Sequence, residues 1–172
     1  MKNPSLEPQE ACLSESKESE LSVRIAGKED KARVQRLLSK RHYLGNTPPV
    51  GDFLIQIVSR GRKWLALLVW GPGALRLQDR DQWIGWSQVQ RSQRLKLIAQ
   101  NRRYLLLHEK GSEPNLASQI LALACRNLPD QWQESFGYRP LIAETFTDPE
   151  AFEGTCYKAC NWTPLGMSKG NS

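Results

Sequence analysis

The stretch that decides the fold lies within residues 104–146. It reads Tyr104-Leu-Leu-Leu107, then Asn115-Leu-Ala-Ser-Gln-Ile-Leu-Ala-Leu-Ala-Cys-Arg-Asn-Leu128, then Leu141-Ile-Ala-Glu-Thr-Phe146. In the middle run Leu116, Ile120, Leu123, Ala124 and Leu128 recur at the spacing of one helix face. The flanking runs are short and apolar, as buried strands are. Asn115 sits where an N-cap belongs, its amide oxygen free to accept an early backbone N–H. Pro129 and Gly137 punctuate the end of the helix. Strand–helix alternation of this kind argues for an α/β fold with a mixed central sheet flanked by helices.

Working outward, Phe152 to Asn161 reads as a short helix and Trp162 to Leu165 as a last strand. Upstream, Trp64 to Trp70 is apolar on both faces, which suits a central, doubly covered strand. It follows the strand Phe53 to Val58 through the turn-like Arg60-Gly61 and ends at Gly71-Pro72-Gly73. Residues 75–100 look helical in pieces, with Asp79 and Asp81 near a first turn and Ser87 as a cap. Leu21-Ser-Val-Arg-Ile25 alternates as a first strand, and Glu29-Asp30 opens a helix whose apolar face is Val34, Leu37 and Leu38. The predicted order is β-α-β-β-α-β-α-β-α-β, as one domain over residues 21–172. Residues 1–20, rich in Ser, Glu, Pro and Lys, bury too little to offset chain entropy and are expected to form a disordered acidic tail.

Composition narrows the classes. The chain has 172 residues, 40% apolar and 24% charged, within the globular range. Its longest unbroken apolar run is the seven residues Trp64 to Trp70, far short of the roughly 20 that span a bilayer. The N-terminus has no apolar signal region. Four cysteines (Cys12, Cys125, Cys156, Cys160) do not make a disulfide framework at this length, so a reducing cytoplasm is the expected compartment. The net charge of +6 is unevenly placed, with residues 1–20 at −3, residues 59–110 at +8 and residues 111–172 at −3. A basic stretch with Trp83 and Trp86 suits contact with nucleic acid, the rings stacking and Arg80, Arg91, Arg94, Lys96, Arg102 and Arg103 meeting phosphates. A solvated basic surface with core tryptophans remains the alternative.

Other chemistry is thinner. His42 and His108 are far apart and no C-x-x-C pair exists; two thiols four apart, Cys156 and Cys160, do not complete a tetrahedral site, so no metal is expected. Neither nucleotide-binding glycine fingerprint is present. The helix entry at Asn115 is a candidate anion site, against the plain alternative of a capped helix facing water. Glu144, in an otherwise apolar strand, reads either as a carboxylate at a crevice or as a strand-end surface residue. Tyr157 is a candidate general acid and Cys156 a candidate nucleophile, with packing as the alternative for both.

Five strings stand out in order: HYLG at His42 to Gly45, RDQWIGW at Arg80 to Trp86, NLAS at Asn115 to Ser118, ETF at Glu144 to Phe146, and GTCYKACNW at Gly154 to Trp162. Together they resemble the family typified by DruA of Druantia anti-phage defence systems, whose members also occur beside transposase sequence. The likeness covers roughly Leu21 to Gly170. It implies bacterial defence or mobile-element biology, with other defence-system or transposase proteins as partners, or, as an alternative, an inactive transposase-associated remnant. Its motif residues fall here on His42, Tyr43, Gly45, Arg80, Asp81, Trp83, Gly85, Trp86, Asn115, Ser118, Glu144, Gly154, Cys156, Tyr157, Asn161 and Trp162. The element order also looks like the C-terminal half of GCN5-related N-acetyltransferases. That second resemblance implies an acyltransferase-like enzyme with Asn115, Ser118, Glu144 and Tyr157 about one cleft. The loop Glu109 to Pro114, which would hold acetyl-CoA, has one glycine and a proline that removes a donor. No cofactor is therefore expected, acetyl-CoA being the one this likeness names.

Overall fold

In a computed structural model, the described residues are 20–41, 50–109, 111, 113–148, 150 and 153–167. The expected tail (residues 1–20) apart from Glu20 lies outside them, Cys12 with it, as does the HYLG string with His42, Tyr43 and Gly45. Five strands form one sheet in the order β1-β2-β3-β4-β5: β1 Leu21–Ile25, β2 Leu54–Arg60, β3 Lys63–Pro72, β4 Ile98–Leu106 and β5 Ile142–Thr145. The first four run antiparallel to their neighbours, and β5 lies parallel to β4. The helices are α1 Lys31–Arg41, α2 Gln78–Ile84, α3 Gln88–Arg94, α4 Leu116–Phe136 and α5 Thr155–Ala159.

The sheet is covered on both faces. On one, α1 sets Val34 and Leu38 against Ile57, Leu67, Val69 and Leu105. On the other, α4 sets Ile120, Ala124, Leu128 and Trp132 against Leu54, Val58, Leu68, Trp70 and Ala99, with Cys125, Cys156, Cys160, Tyr157 and Trp162 half-buried at the margin. Full burial of each large apolar side chain contributes about 1.5–3 kcal/mol. β3 is the central strand expected, buried from Leu65 to Gly71. One polar chain crosses the second core: Trp70 Nε1 donates to Gln56 Oε1 at 2.7 Å, and Gln56 Nε2 donates to Ala124 O at 3.0 Å and Gln131 Oε1 at 2.7 Å. Register between strands and α4 is thereby fixed by hydrogen bonds as well as by shape.

Four local readings change. The segment Trp162 to Leu165 is not a strand. The N–H groups of Cys160, Asn161 and Trp162 turn back to carbonyls of α5, Asn161 takes φ 61°, and the Trp162 ring meets Tyr157 edge-on at 5.0 Å. Chain that closes a helix end in this way is not available to a sheet. The region 75–100 divides into α2, α3 and a single 3₁₀ turn at Leu95–Leu97, and β4 begins at Ile98 instead of Tyr104. The order is therefore β-α-β-β-α-α-β-α-β-α. Pro129 stands inside α4, which ends only at Gly137, in the left-handed region at φ 80°. Asn115 does occupy the N-cap position, but at φ 59° its side chain makes no cap bond, and Ser118 Oγ donates to its carbonyl instead. Ser87 forms the full capping box with Gln90.

Candidate functional site

Two groups of polar side chains flank β4 and β5, and the sheet divides them. Adjacent strand residues point to opposite faces. Gln100 pairs with Glu144 in the β4–β5 register, and Asn101 pairs with Thr145. Glu144 thus faces the excursion between β3 and β4 (residues 73–97), whereas Asn101 faces α4 and α5.

On the Glu144 face the chain leaves β3 through Gly73, whose N–H donates to Ile98 O. A Cβ there would stand 2.9 Å from the Ile98 side chain, so this close approach requires glycine. The excursion then returns over the sheet and inserts Arg80, 1% exposed. Arg80 Nη1 donates to Glu144 Oε2 at 2.9 Å and to Ala74 O at 2.8 Å, while its Nε and Nη2 donate to Asp81 Oδ1 at 3.0 and 2.7 Å. Glu144 Oε1 accepts the Ala74 N–H at 2.5 Å, and Arg91 of α3 reaches Asp81 Oδ2 at 3.2 Å. Two guanidinium and two carboxylate groups balance in charge, as buried ions must. The single carboxylate in the ETF string is thus neither at an open crevice nor at a free strand end; it receives the arginine of RDQWIGW from 64 residues upstream.

The nucleic-acid candidates separate accordingly. Arg80 and Arg103, 1% and 8% exposed, lie in the interior, and Arg91 is committed to Asp81. Trp86 is half-buried, and its N–H donates to Asp81 O at 2.8 Å. Trp83 is 60% exposed, and Arg94, Lys96 and Arg102 are exposed with it. Arg102 Nη2 donates to Pro72 O at 3.3 Å, which holds it beside the start of the excursion. Arg76 is exposed on the excursion, Lys110 lies outside the described residues, and Arg60, Arg62 and Lys63 sit at the far end of the ten-residue β3, about 30 Å away. There Arg60 is held by both oxygens of Glu113, at 2.9 and 2.7 Å. The basic middle of the sequence is two clusters in space.

On the other face, Tyr157 Oη donates to Asn101 Oδ1 at 2.8 Å, and Thr145 Oγ1 donates to Asn101 O at 3.0 Å. Arg102 is the extra residue of a bulge in β4, since Val69 opposes Arg103 while Trp70 opposes Asn101. Bulges re-aim strands, and pairing of β4 with β5 stops at Asn101 and Thr145. Asn101 Nδ2 donates into the bulge, to Arg103 O at 3.2 Å. Tyr104 Oη donates to Ala117 O at 2.6 Å, and Cys160 Sγ to Ser118 O at 3.1 Å, tying the strand and α5 to the first turn of α4. Burial pushes the Tyr104 hydroxyl and the Cys156 and Cys160 thiols up, and Cys125 up to about 12. These are protonated groups, and Cys156 has no depressed thiol suited to a nucleophile.

Asn115, Ser118 and Tyr157 therefore share the α4–α5 face, and Glu144 belongs to the other. Asn101, the hub of that face, carries no sequence signal: its partners are Tyr157, 56 residues away, and Thr145, 44 away. Among the described residues no group of three His, Cys, Asp or Glu side chains could hold a metal, and no helix is long and apolar enough to cross a membrane. Compared with known families, residues 4–172 match the sequence model described as Druantia protein DruA. No curated protein matches the chain.

Proposed function

The chain belongs to the DruA family, and we propose that it serves as a component of Druantia anti-phage defence that contacts nucleic acid through the outward side of the 73–97 excursion. One observation carries the contact: Trp83 stands exposed on the same excursion as Arg94 and Lys96, while that excursion's Asp81 is consumed internally. An exposed indole supplies a stacking platform and the bases supply phosphate contacts. Arg80, Asp81 and Glu144 position this surface and do not touch the ligand. Other defence-system proteins, and transposase proteins where the domain occurs beside them, are the protein partners this reading names; the cytoplasm is the compartment.

Fluorescence anisotropy with single- and double-stranded oligonucleotides over a salt series tests it. Trp83→Ala should weaken binding by about 1–3 kcal/mol, and Arg94→Glu with Lys96→Glu should flatten the salt dependence. Absence of binding at low salt, or affinity indifferent to both changes, sinks the reading.

A second reading rests on the parting of β4 and β5 beyond Asn101 and Thr145, with the Tyr157 hydroxyl at that point. Parallel strands joined by α4 support a GCN5-related acetyltransferase-like fold, and the parting is where an acyl thioester would lie, with Tyr157 as acid. Glu144 has no part in it, being on the other face. Calorimetry with acetyl-CoA and CoA at millimolar concentration decides: no heat and no thermal shift removes the enzyme.

A further inference from the structure

The excursion shows solvent an unusual combination. Leu75, Trp83 and Val89 are 79, 60 and 64% exposed, and Arg76, Arg94 and Lys96 are exposed among them. Of its two acids, Asp81 is buried under Arg80 and Arg91, and the half-buried Asp79 turns its carboxylate to the backbone of Gly166, where a Cβ would clash with it. An apolar surface on which three exposed bases outnumber one half-buried acid is complementary to an apolar and acidic ligand. Residues 1–19 of this chain are such a ligand, with Glu7, Glu10, Glu15 and Glu18 against Lys2 and Lys17, and with Leu6 and Leu13 among them.

We propose that the N-terminal segment docks on the outward side of the excursion and competes there with nucleic acid. The competition rests on the function proposed above; the docking does not. Reach is sufficient. Leu21 pairs with Arg60 at the turn end of the sheet, and the excursion begins at the other end of β3. Nineteen residues span up to about 65 Å, twice the roughly 30 Å length of that strand. The nearer bases, Arg62 and Lys63, have no exposed large apolar side chain in the turn around them. Tethering places the segment at an effective concentration of the order of millimolar, so weak intrinsic affinity suffices for substantial occupancy. A duplex carries about one charge per 1.7 Å, far denser than the acids of the segment, and competes effectively for the same bases.

Zero-length carbodiimide cross-linking of the full chain, read by mass spectrometry, tests the docking. Links from Glu7 or Glu10, the two acids far enough from Leu21 to span the strand, to Lys96 within one chain are expected. Links to Lys63 alone, links only between chains, or none overturn it. The double variant Leu6→Ser/Leu13→Ser leaves the net charge unchanged. It should lose the Lys96 links and bind a single-stranded oligonucleotide about 3–10-fold more tightly at low salt; links and affinity equal to the parent overturn the proposal. If neither chain binds nucleic acid, the competition falls with the proposed function, and the Lys96 links alone decide the docking.

Discussion

The two connections that flank β4 are held by different forces. The excursion of residues 73–97, which enters β4, is anchored by charge: Arg80, Asp81, Arg91 and Glu144 close on one another beneath it, with Leu77, Ile84, Trp86, Leu95 and Leu97 half-buried, while Leu75, Trp83 and Val89 are exposed. The crossover through α4, which leaves β4, is anchored by apolar burial along Leu116, Ile120, Leu121, Ala124, Leu128 and Trp132, with neutral hydrogen bonds from Tyr104, Tyr157 and Cys160 at its rim. An apolar stripe must be buried, so a helix anchored by one has little left to offer a ligand. A short helix pair anchored by a few buried ions keeps some apolar and basic residues for the surface. Anchoring by charge frees the excursion for contact, at the cost of depending on a single carboxylate.

That contrast breaks most visibly at Glu144. Glu144→Ala leaves Arg80 and the Ala74 N–H short of their acceptor, and a loss of about 3–5 kcal/mol in urea unfolding is expected. Glu144→Gln, which retains acceptor and shape, should recover part of it; equal stability of Glu144→Ala and the parent would refute charge anchoring. In the crossover, Ile120→Ala should cost about 2–5 kcal/mol as a cavity, and hydrogen exchange should loosen in α4 while α2 stays protected. At its rim, Tyr157→Phe strands Asn101 Oδ1 and should cost about 1–2 kcal/mol. A smaller effect of a different kind lies at β1, where Asp30 accepts from Arg24 and from Gly27 N–H. The Arg24 guanidinium, followed by the Gly27 N–H, holds the Asp30 carboxyl down to about 2 against the cost of burial. A lowered carboxyl stabilises the fold above its unfolded value of 3.8, and that contribution fades as pH falls from about 4 towards 2. Asp30→Asn should remove this part of the acid limb and, because Arg24 is half-exposed, no more than about 1 kcal/mol at neutral pH. The smallest shift belongs to Trp83→Ala, within about 0.5 kcal/mol in stability. A larger loss there would mean that the indole packs and does not wait for a ligand.

The legible parts of the sequence were those decided by local periodicity and composition. Leu21–Ile25 alternates and is β1; the seven apolar residues Trp64 to Trp70 are the buried body of β3; the face Leu116, Ile120, Ala124, Leu128 is the buried face of α4; Ser87 caps α3. Misreadings arose where a local signal was outweighed by a distant partner. Ile98 to Gln100 looks like the end of a helical stretch until β3 and β5 supply ladders on either side. Trp162 to Leu165 has strand composition, but the N–H of Trp162 and those of the two residues before it are spent on α5. Pro129 reads as a stop, yet a helix with Ile120, Leu121, Ala124 and Trp132 fully buried tolerates one missing N–H. Of the five strings, HYLG lies outside the described residues, and the other four contribute groups to the two polar clusters on opposite faces of the sheet; a string does not say which way its side chains turn.

By itself, then, the sequence determined the class of fold, the family, the uneven charge and the absence of a metal-binding pattern, all properties of residue types and short-range order. Only the tertiary structure decided that Glu144 and Tyr157 lie on opposite faces of the sheet, that Arg80 and Arg103 are interior while Trp83 is not, and that the basic middle is two clusters. The reason is geometric. A strand reverses side-chain direction at every residue and carries its ends some 30 Å apart in ten, so neighbours in sequence become strangers in space. Which arginine meets which carboxylate across 64 residues is settled by the register of β4 on β5, and that register exists only once the sheet has formed.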